Sequence, residues 1–175
     1  RAPAERPLAG SAPRAAPYRR QGARRAVRVN NKVANVGAPG GVADAERLCA
    51  RLGELLGCSG AEVLPASTGV VGWKLPVDEM LQALPALAEG RQGRTLVPVA
   101  RAIMTTDSYP KLHREKLGAG SIVGVAKGAG MIEPNMATML CFILTDVTVP
   151  PAFLRTCLAE CVGESFNRIS VDGDQ

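Results

Sequence analysis

The stretch Lys127-Gly-Ala-Gly-Met-Ile-Glu-Pro-Asn-Met-Ala-Thr-Met-Leu-Cys-Phe-Ile-Leu-Thr-Asp146 decides how the chain is read. It opens with a lysine among glycines, turns at Glu133-Pro134-Asn135 and enters the apolar run Met139 to Leu144. A short apolar run bounded by turn and polar residues reads as a buried strand. Thr138 stands at the threshold of that strand, directly after the small residue Ala137. A hydroxyl where a loop enters a rigid strand is held in position, and glycines ahead of it let backbone pass close to another group. On these grounds alone the segment is a loop feeding a core strand, with Thr138 an ordinary strand-start residue.

Upstream, Ser121 to Ala126 reads as a strand that delivers Lys127. The sequence Leu117-Gly-Ala-Gly-Ser-Ile-Val-Gly124 invites a nucleotide-loop reading but fails it. Position 123 is valine, which breaks G-x-G-x-x-G, and Gly128 follows Lys127 where a P-loop needs serine or threonine. Residues 112–120 read as a polar connection. Thr95 to Met104 reads as a strand, with Pro98 near its start or on an edge, and it ends in Thr105-Thr106-Asp107. Downstream, Pro150 and Pro151 open a helix, where proline is tolerated. Phe153, Leu154, Cys157, Leu158, Cys161 and Val162 are the face expected to be buried.

The first half alternates strand and helix. Val27 to Asn30 is a short strand, followed by the glycine- and asparagine-rich loop Asn30 to Gly41. Ala43 to Gly57 is a helix with Leu48, Leu52, Leu55 and Leu56 at helical spacing and Gly57 as its stop. Glu62 to Ala66 is a strand leading into Ser67-Thr68-Gly69-Val70-Val71-Gly72. That hexapeptide is either a polar turn or a backbone nest whose N–H groups receive an anion. Asp78 begins a helix carrying Met80, Leu81, Leu84 and Leu87, which Pro85 should kink or cut short.

The formal charge of +5 over 175 residues is local in origin. Residues 1–28 hold eight arginines and one acid, whereas residues 29–175 are slightly acidic, so a nucleic-acid surface is not indicated. Aromatics for base stacking are nearly absent. No apolar run reaches the roughly 20 residues of a membrane helix. Residues 1–26, rich in Arg, Ala and Pro, are expected to be disordered. Their acid-poor bias is that of a mitochondrial transit peptide. The location expected is the mitochondrial matrix, with the cytoplasm as the alternative. The five cysteines form no CxxC pair, and with one histidine they leave no zinc site, so they read as buried thiols in a reducing compartment.

The stretch 127–140 resembles the glutamate N-acetyltransferase (ornithine acetyltransferase) family of arginine biosynthesis, whose motif runs approximately K-G-(S/A)-G-M-I-x-P-N-M-A-T-M-L. The resemblance extends to Ser67-Thr-Gly-Val-Val-Gly72, to Ala102-Ile-Met-Thr-Thr-Asp-Ser-Tyr-Pro-Lys111 and to Ser165-Phe-Asn-Arg-Ile-Ser-Val-Asp-Gly-Asp174. It also covers the loop V-N-x-G-x-A-N, of which Asn30, Ala34 and Asn35 are kept. Lys32 stands where the family usually has glycine, which would introduce strain if that position is left-handed.

The resemblance implies an α/β fold, sheets sandwiched by helices, with the self-processing architecture of N-terminal-nucleophile enzymes. It implies cleavage between Ala137 and Thr138, with Thr138 as nucleophile, Thr68 and Gly69 as oxyanion hole, and Thr105, Lys127 and Thr138 as substrate contacts. The reaction implied is acetyl transfer from N-acetylornithine to glutamate without cofactor or metal, with acetyl-CoA as a further donor. An α/β heterodimer after cleavage, assembling into a heterotetramer, is also implied. Residues 27–175 would be a partial domain, 27–137 α-chain-like and 138–175 the start of the β-chain. Segments on both sides of the matched region are missing or replaced. A non-catalytic interaction module or inactive truncated fragment of the same fold is therefore the alternative, ahead of a related self-cleaving aminopeptidase.

Overall fold

The computed structural model describes residues 24–133 and 139–173. Most of the arginine-rich arm, and Ala137 and Thr138, lie outside the described residues. Backbone contacts divide the chain between Gly93 and Arg94 into two compact units.

The first unit is built on β1 (Ala26–Asn30), α1 (Gly41–Leu56) and β2 (Val63–Ser67). The two strands are parallel, with Ala26 opposite Val63 and Asn30 opposite Ser67. Parallel neighbours need a crossover and not a hairpin, and α1 supplies it. The leucine spacing works as expected: Leu48 and Leu52 are buried, while Leu55 and Leu56 pack partly buried against the same cluster. Gly57 ends the helix at φ 66°, its amide turned back to Glu54 and Gly53. The core joins Leu48, Cys49, Leu52, Val63, Leu75, Val77, Leu84 and Ala88. Each large side chain buried there contributes about 1.5–3 kcal/mol.

The helix begun near Asp78 is α2 (Val77–Glu89), and Pro85 does not cut it short. Proline removes one backbone bond from a helix interior. Leu84 and Ala88, buried on either side of it, hold the helix through that gap.

In the second unit two element assignments fail. Thr95 to Met104 is not a strand: it carries the short helix α3 (Val97–Ala102). Ala100 in the helix and Ile103 at its C-cap are buried and three apart, which is helical spacing, and Pro98 sits in the first turn where its missing N–H is no loss. Residues 112–120 are not a connection but β3 (Lys111–Leu117) and its tight turn into β4 (Gly120–Lys127). The pair is antiparallel, Lys111 opposite Ala126 and Leu117 opposite Gly120, and β5 (Leu140–Thr145) joins the other edge of β4. The glycine-rich run rejected as a nucleotide loop is this hairpin turn. β3 lies at the sheet edge and is largely exposed, so its sequence, Lys-Leu-His-Arg-Glu-Lys-Leu, lacks apolar alternation. Charged side chains on an edge strand also discourage pairing with another chain.

β5 itself is half-buried at Leu140 to Phe142 and exposed from Ile143 onward, not the fully buried strand expected. Helix α4 (Pro151–Glu164) starts at its prolines, but the face expected to be buried is not: no residue of α4 is buried, and Phe153 is 65% exposed. Phe153, Leu154, Leu158 and Cys161 stay exposed, while Cys157 and Val162 are half-buried. All five cysteines are free, but only Cys49 is buried and Cys161 is exposed, so the buried-thiol expectation holds for one of the five.

Lys32 adopts φ 73°, the left-handed conformation that a lysine enters only with strain. Such a residue costs about 1–2 kcal/mol, and glycine returns about 0.4–1 of that through the unfolded chain. Lys32→Gly is expected to stabilise the first unit by about 0.5–1 kcal/mol, read as a higher urea midpoint at constant slope.

Candidate functional site

The Asn30–Gly41 loop and the Ser67–Gly72 loop are laced together beyond the ends of β1 and β2. Thr68 N–H donates to Asn30 O (3.1 Å), Val70 N–H to Lys32 O (2.9 Å) and Ala34 N–H to Val70 O (2.9 Å). Side chains extend the lacing. Ser67 Oγ donates to Asn35 Oδ1 (2.5 Å) and accepts from the Asn35 amide (2.9 Å). Asn30 accepts from Arg28 (3.2 Å) and donates to Val33 O (2.7 Å). The Thr68 amide is therefore spent on Asn30, so the nest reading does not hold at that amide. Gly69 is exposed at φ 129°, and a Cβ there would lie 2.1 Å from Lys32 C and 2.2 Å from Lys32 O. Only glycine allows this approach.

In the second unit the focus is Asp107, whose side chain is 1% exposed. Its Oδ1 accepts from Lys111 Nζ (2.5 Å) and from the Gly128 amide (2.8 Å), and its Oδ2 accepts from the Thr105 amide (3.2 Å). Burial alone would raise the Asp107 pKa. The bonds from Lys111, Gly128 and Thr105 outweigh burial and hold it below the ordinary carboxylate value. Lys111 also lies over the Tyr109 ring, 4.8 Å from its centroid. Lys127, at the end of β4, is 5% exposed. Burial pushes its ammonium down; the Asp107 charge pulls it back up and Lys111 pushes it down again, for a net lowering. A partly desolvated ammonium between a strand end and a glycine turn suits a carboxylate partner.

The sequence-derived site residues thus fall in two places. Thr68 and Gly69 belong to the first unit. Thr105, which is exposed, and Lys127 belong to the second, where Asp107 connects the turns that carry them. Ala137 and Thr138 lie outside the described residues. Asp107 and Lys111 are what the sequence reading missed. The segment was read as ending in Thr105-Thr106-Asp107, but nothing local to it signals a bond to an amide 21 residues away. Among the described residues no group of three His, Cys, Asp or Glu could hold a metal ion, and no helix is long and apolar enough to cross a membrane.

The sequence pattern of the ArgJ family matches residues 12–175. The chain belongs to that family. The ArgJ match starts inside the arginine-rich arm, upstream of the residue-27 boundary drawn from the motifs alone. The arginine biosynthesis bifunctional protein ArgJ of Geobacter sulfurreducens is 45% identical over 155 residues, 86% of this chain and 39% of that protein. ArgJ of Nitratidesulfovibrio vulgaris is 48% identical over 127 residues, 70% of this chain and 32% of that protein. The chain thus spans well under half the length of these relatives. Among solved structures, the ornithine acetyltransferase of Mycobacterium tuberculosis complexed with ornithine is 26% identical. It aligns at a TM-score of 0.50 over 65% of this chain and 62% of that one. The mixed helix-and-sheet fold is that of the ArgJ ornithine acetyltransferases.

Proposed function

We propose that this chain carries the acyl-transfer machinery of an ArgJ acetyltransferase, with Thr138 as its self-generated N-terminal nucleophile. The observation that carries the reading is the family match running through Lys127 to Asp146, motif included. A hydroxyl is a poor nucleophile at neutral pH and needs a base beside it. An N-terminal threonine has one in its own amine, whose ordinary pKa of about 7.7–8.0 suits proton transfer. Before cleavage that nitrogen is an amide and cannot serve.

In the proposed sequence Thr138 Oγ attacks the Ala137 carbonyl, and the acyl group moves from nitrogen to oxygen as the amide nitrogen takes a proton. Water then hydrolyses the ester, leaving an Ala137 carboxylate and a free Thr138 amine. Thr138 accepts acetyl from N-acetylornithine, releases ornithine, and passes the acetyl group to the glutamate amine. The Thr68 hydroxyl and the Gly69 amide are the proposed oxyanion donors; removing one such donor costs about 2.7–4 kcal/mol in barrier. Thr105 and Lys127 are the proposed contacts to substrate polar groups. Glutamate acetylation from acetyl-CoA, and an α/β heterodimer built into a heterotetramer, belong to the same reading. The relatives named are bacterial, which supports the cytoplasmic alternative and not the mitochondrial matrix.

A second reading is a non-catalytic module of the same fold. The exposed apolar face of α4 favours it. Intact mass of the wild type beside Thr138→Ala separates the two. The acetyltransferase reading expects the wild type alone to split between Ala137 and Thr138, with N-acetylornithine turnover following. If both stay whole, that reading is overturned for this chain and the module reading stands.

A further inference from the structure

We propose that Asp107 is a positioning residue: its buried carboxylate clamps the Thr105 turn to the Lys127–Gly128 turn, so that Thr105 and Lys127 are presented to a carboxylate-bearing ligand as one unit. The role in substrate binding rests on the function proposed above. The clamp itself rests on geometry within the second unit.

Three donors converge on this one carboxylate, and two of them are backbone amides of the segments carrying the proposed contacts. The Gly128 turn is confined from its other side as well. It runs at φ 142°, and a Cβ there would come within 2.8 Å of Ile132 Cδ1. Ile132 is itself buried and exchanges two backbone bonds with Val171, at 2.9 and 2.7 Å. The turn is thus held between Asp107 and Ile132, which leaves its lysine little freedom. Lys111 neutralises Asp107 on the half-exposed side.

The arrangement also sets the charge of Lys127. Asp107, from the loop after α3, and Lys111, from β3, both act on its charge. On β5, Leu140 stands opposite Lys127 and Cys141 opposite Ala126; burial raises the Cys141 thiol, so it adds no charge at neutral pH. Asp107 favours the ammonium and Lys111 disfavours it, so removing either should move Lys127 in opposite directions. A carboxylate that merely filled space would produce no such pair of shifts.

The test is a pH titration of the Lys127 Nζ resonance by nitrogen-15 NMR of the whole chain, in wild type, Asp107→Asn and Lys111→Met. Asparagine removes the charge and keeps one oxygen acceptor, so one of the two amides, which bond different oxygens of Asp107, loses its partner. The expected result is a lower titration point in Asp107→Asn and a higher one in Lys111→Met. If Asp107→Asn fails to fold, amide hydrogen exchange of the wild type decides: the Thr105 and Gly128 amides should be protected at neutral pH and lose that protection in acid, and two unprotected amides overturn the clamp. An unmoved or lowered titration in Lys111→Met, or an unmoved one in a folded Asp107→Asn, overturns the proposal. Adding N-acetylornithine or glutamate to the wild type tests the function separately. Opposite shifts in the variants with no response to either ligand support the clamp and count against the acetyltransferase reading.

Discussion

Gly69→Ala loses about 3–5 kcal/mol of stability in the first unit, the sum of a glycine-only backbone conformation and an overpacked contact. The alanine Cβ would be driven into the Lys32 carbonyl group and would lie 2.6 Å from the Val33 nitrogen, all backbone atoms that cannot rotate away. Relief requires the two loops to part, which breaks the bonds of Val70 to Lys32 and of Ala34 to Val70. Against a total stability of about 5–15 kcal/mol, such a loss is a large share. Gly72→Ala is the control, because Gly72 also has positive φ (86°) but nothing within 4 Å of its Cβ position. It should cost only about 1–2 kcal/mol. Urea unfolding of both variants separates steric from conformational strain. If the proposed self-cleavage holds, any folded fraction of Gly69→Ala should also cleave about 10²–10³-fold more slowly, because the proposed oxyanion amide has moved.

Asp107→Ala should destabilise the second unit by about 2–4 kcal/mol, since two amides and an ammonium lose their shared acceptor. Asp107→Asn should lose roughly half as much, because its one oxygen still accepts from one of the two amides while the other amide and the charge-assisted share are lost. The loss depends on pH with a definite sign. The folded carboxyl titrates below its ordinary value, so its stabilisation is fully present above the unfolded pKa of about 3.9. It disappears as pH falls through the folded value. The stability gap between wild type and Asp107→Asn should therefore be constant around neutrality and close in acid. A gap that persists unchanged to the acid limit would mean that the carboxylate charge contributes nothing.

The parts of the fold legible in the sequence were those with a one-sided apolar pattern. The leucines of α1 announced a helix because only one of its faces meets the core, and β1, β2 and β4 were flagged by short apolar runs between turns. Segments whose burial comes from elsewhere in the chain were misread. In α3, valines and a proline suggested an extended strand, but the burial of Ala100 and Ile103 fixed a helix. In β3, exposure removed the alternation that marks a strand, and only its seven partners on β4 establish it.

The same division runs through the candidate site. The motifs at Lys127–Asp146, Ser67–Gly72 and Ala102–Lys111 carried the resemblance to the family, and Thr68, Gly69, Thr105, Lys127 and Thr138 were nominated by that resemblance, not by residue type or spacing. Lys32 was flagged because the resembling family usually has glycine there, with strain expected if the position is left-handed, and its φ of 73° meets that condition. Asp107 is different. Its importance lies in bonds to an amide two residues before it, a side chain four after it and an amide 21 after it. A buried carboxylate keeps its charge only where several donors converge on it. That convergence is a property of chain segments brought together by folding, so it could be read only from the tertiary structure.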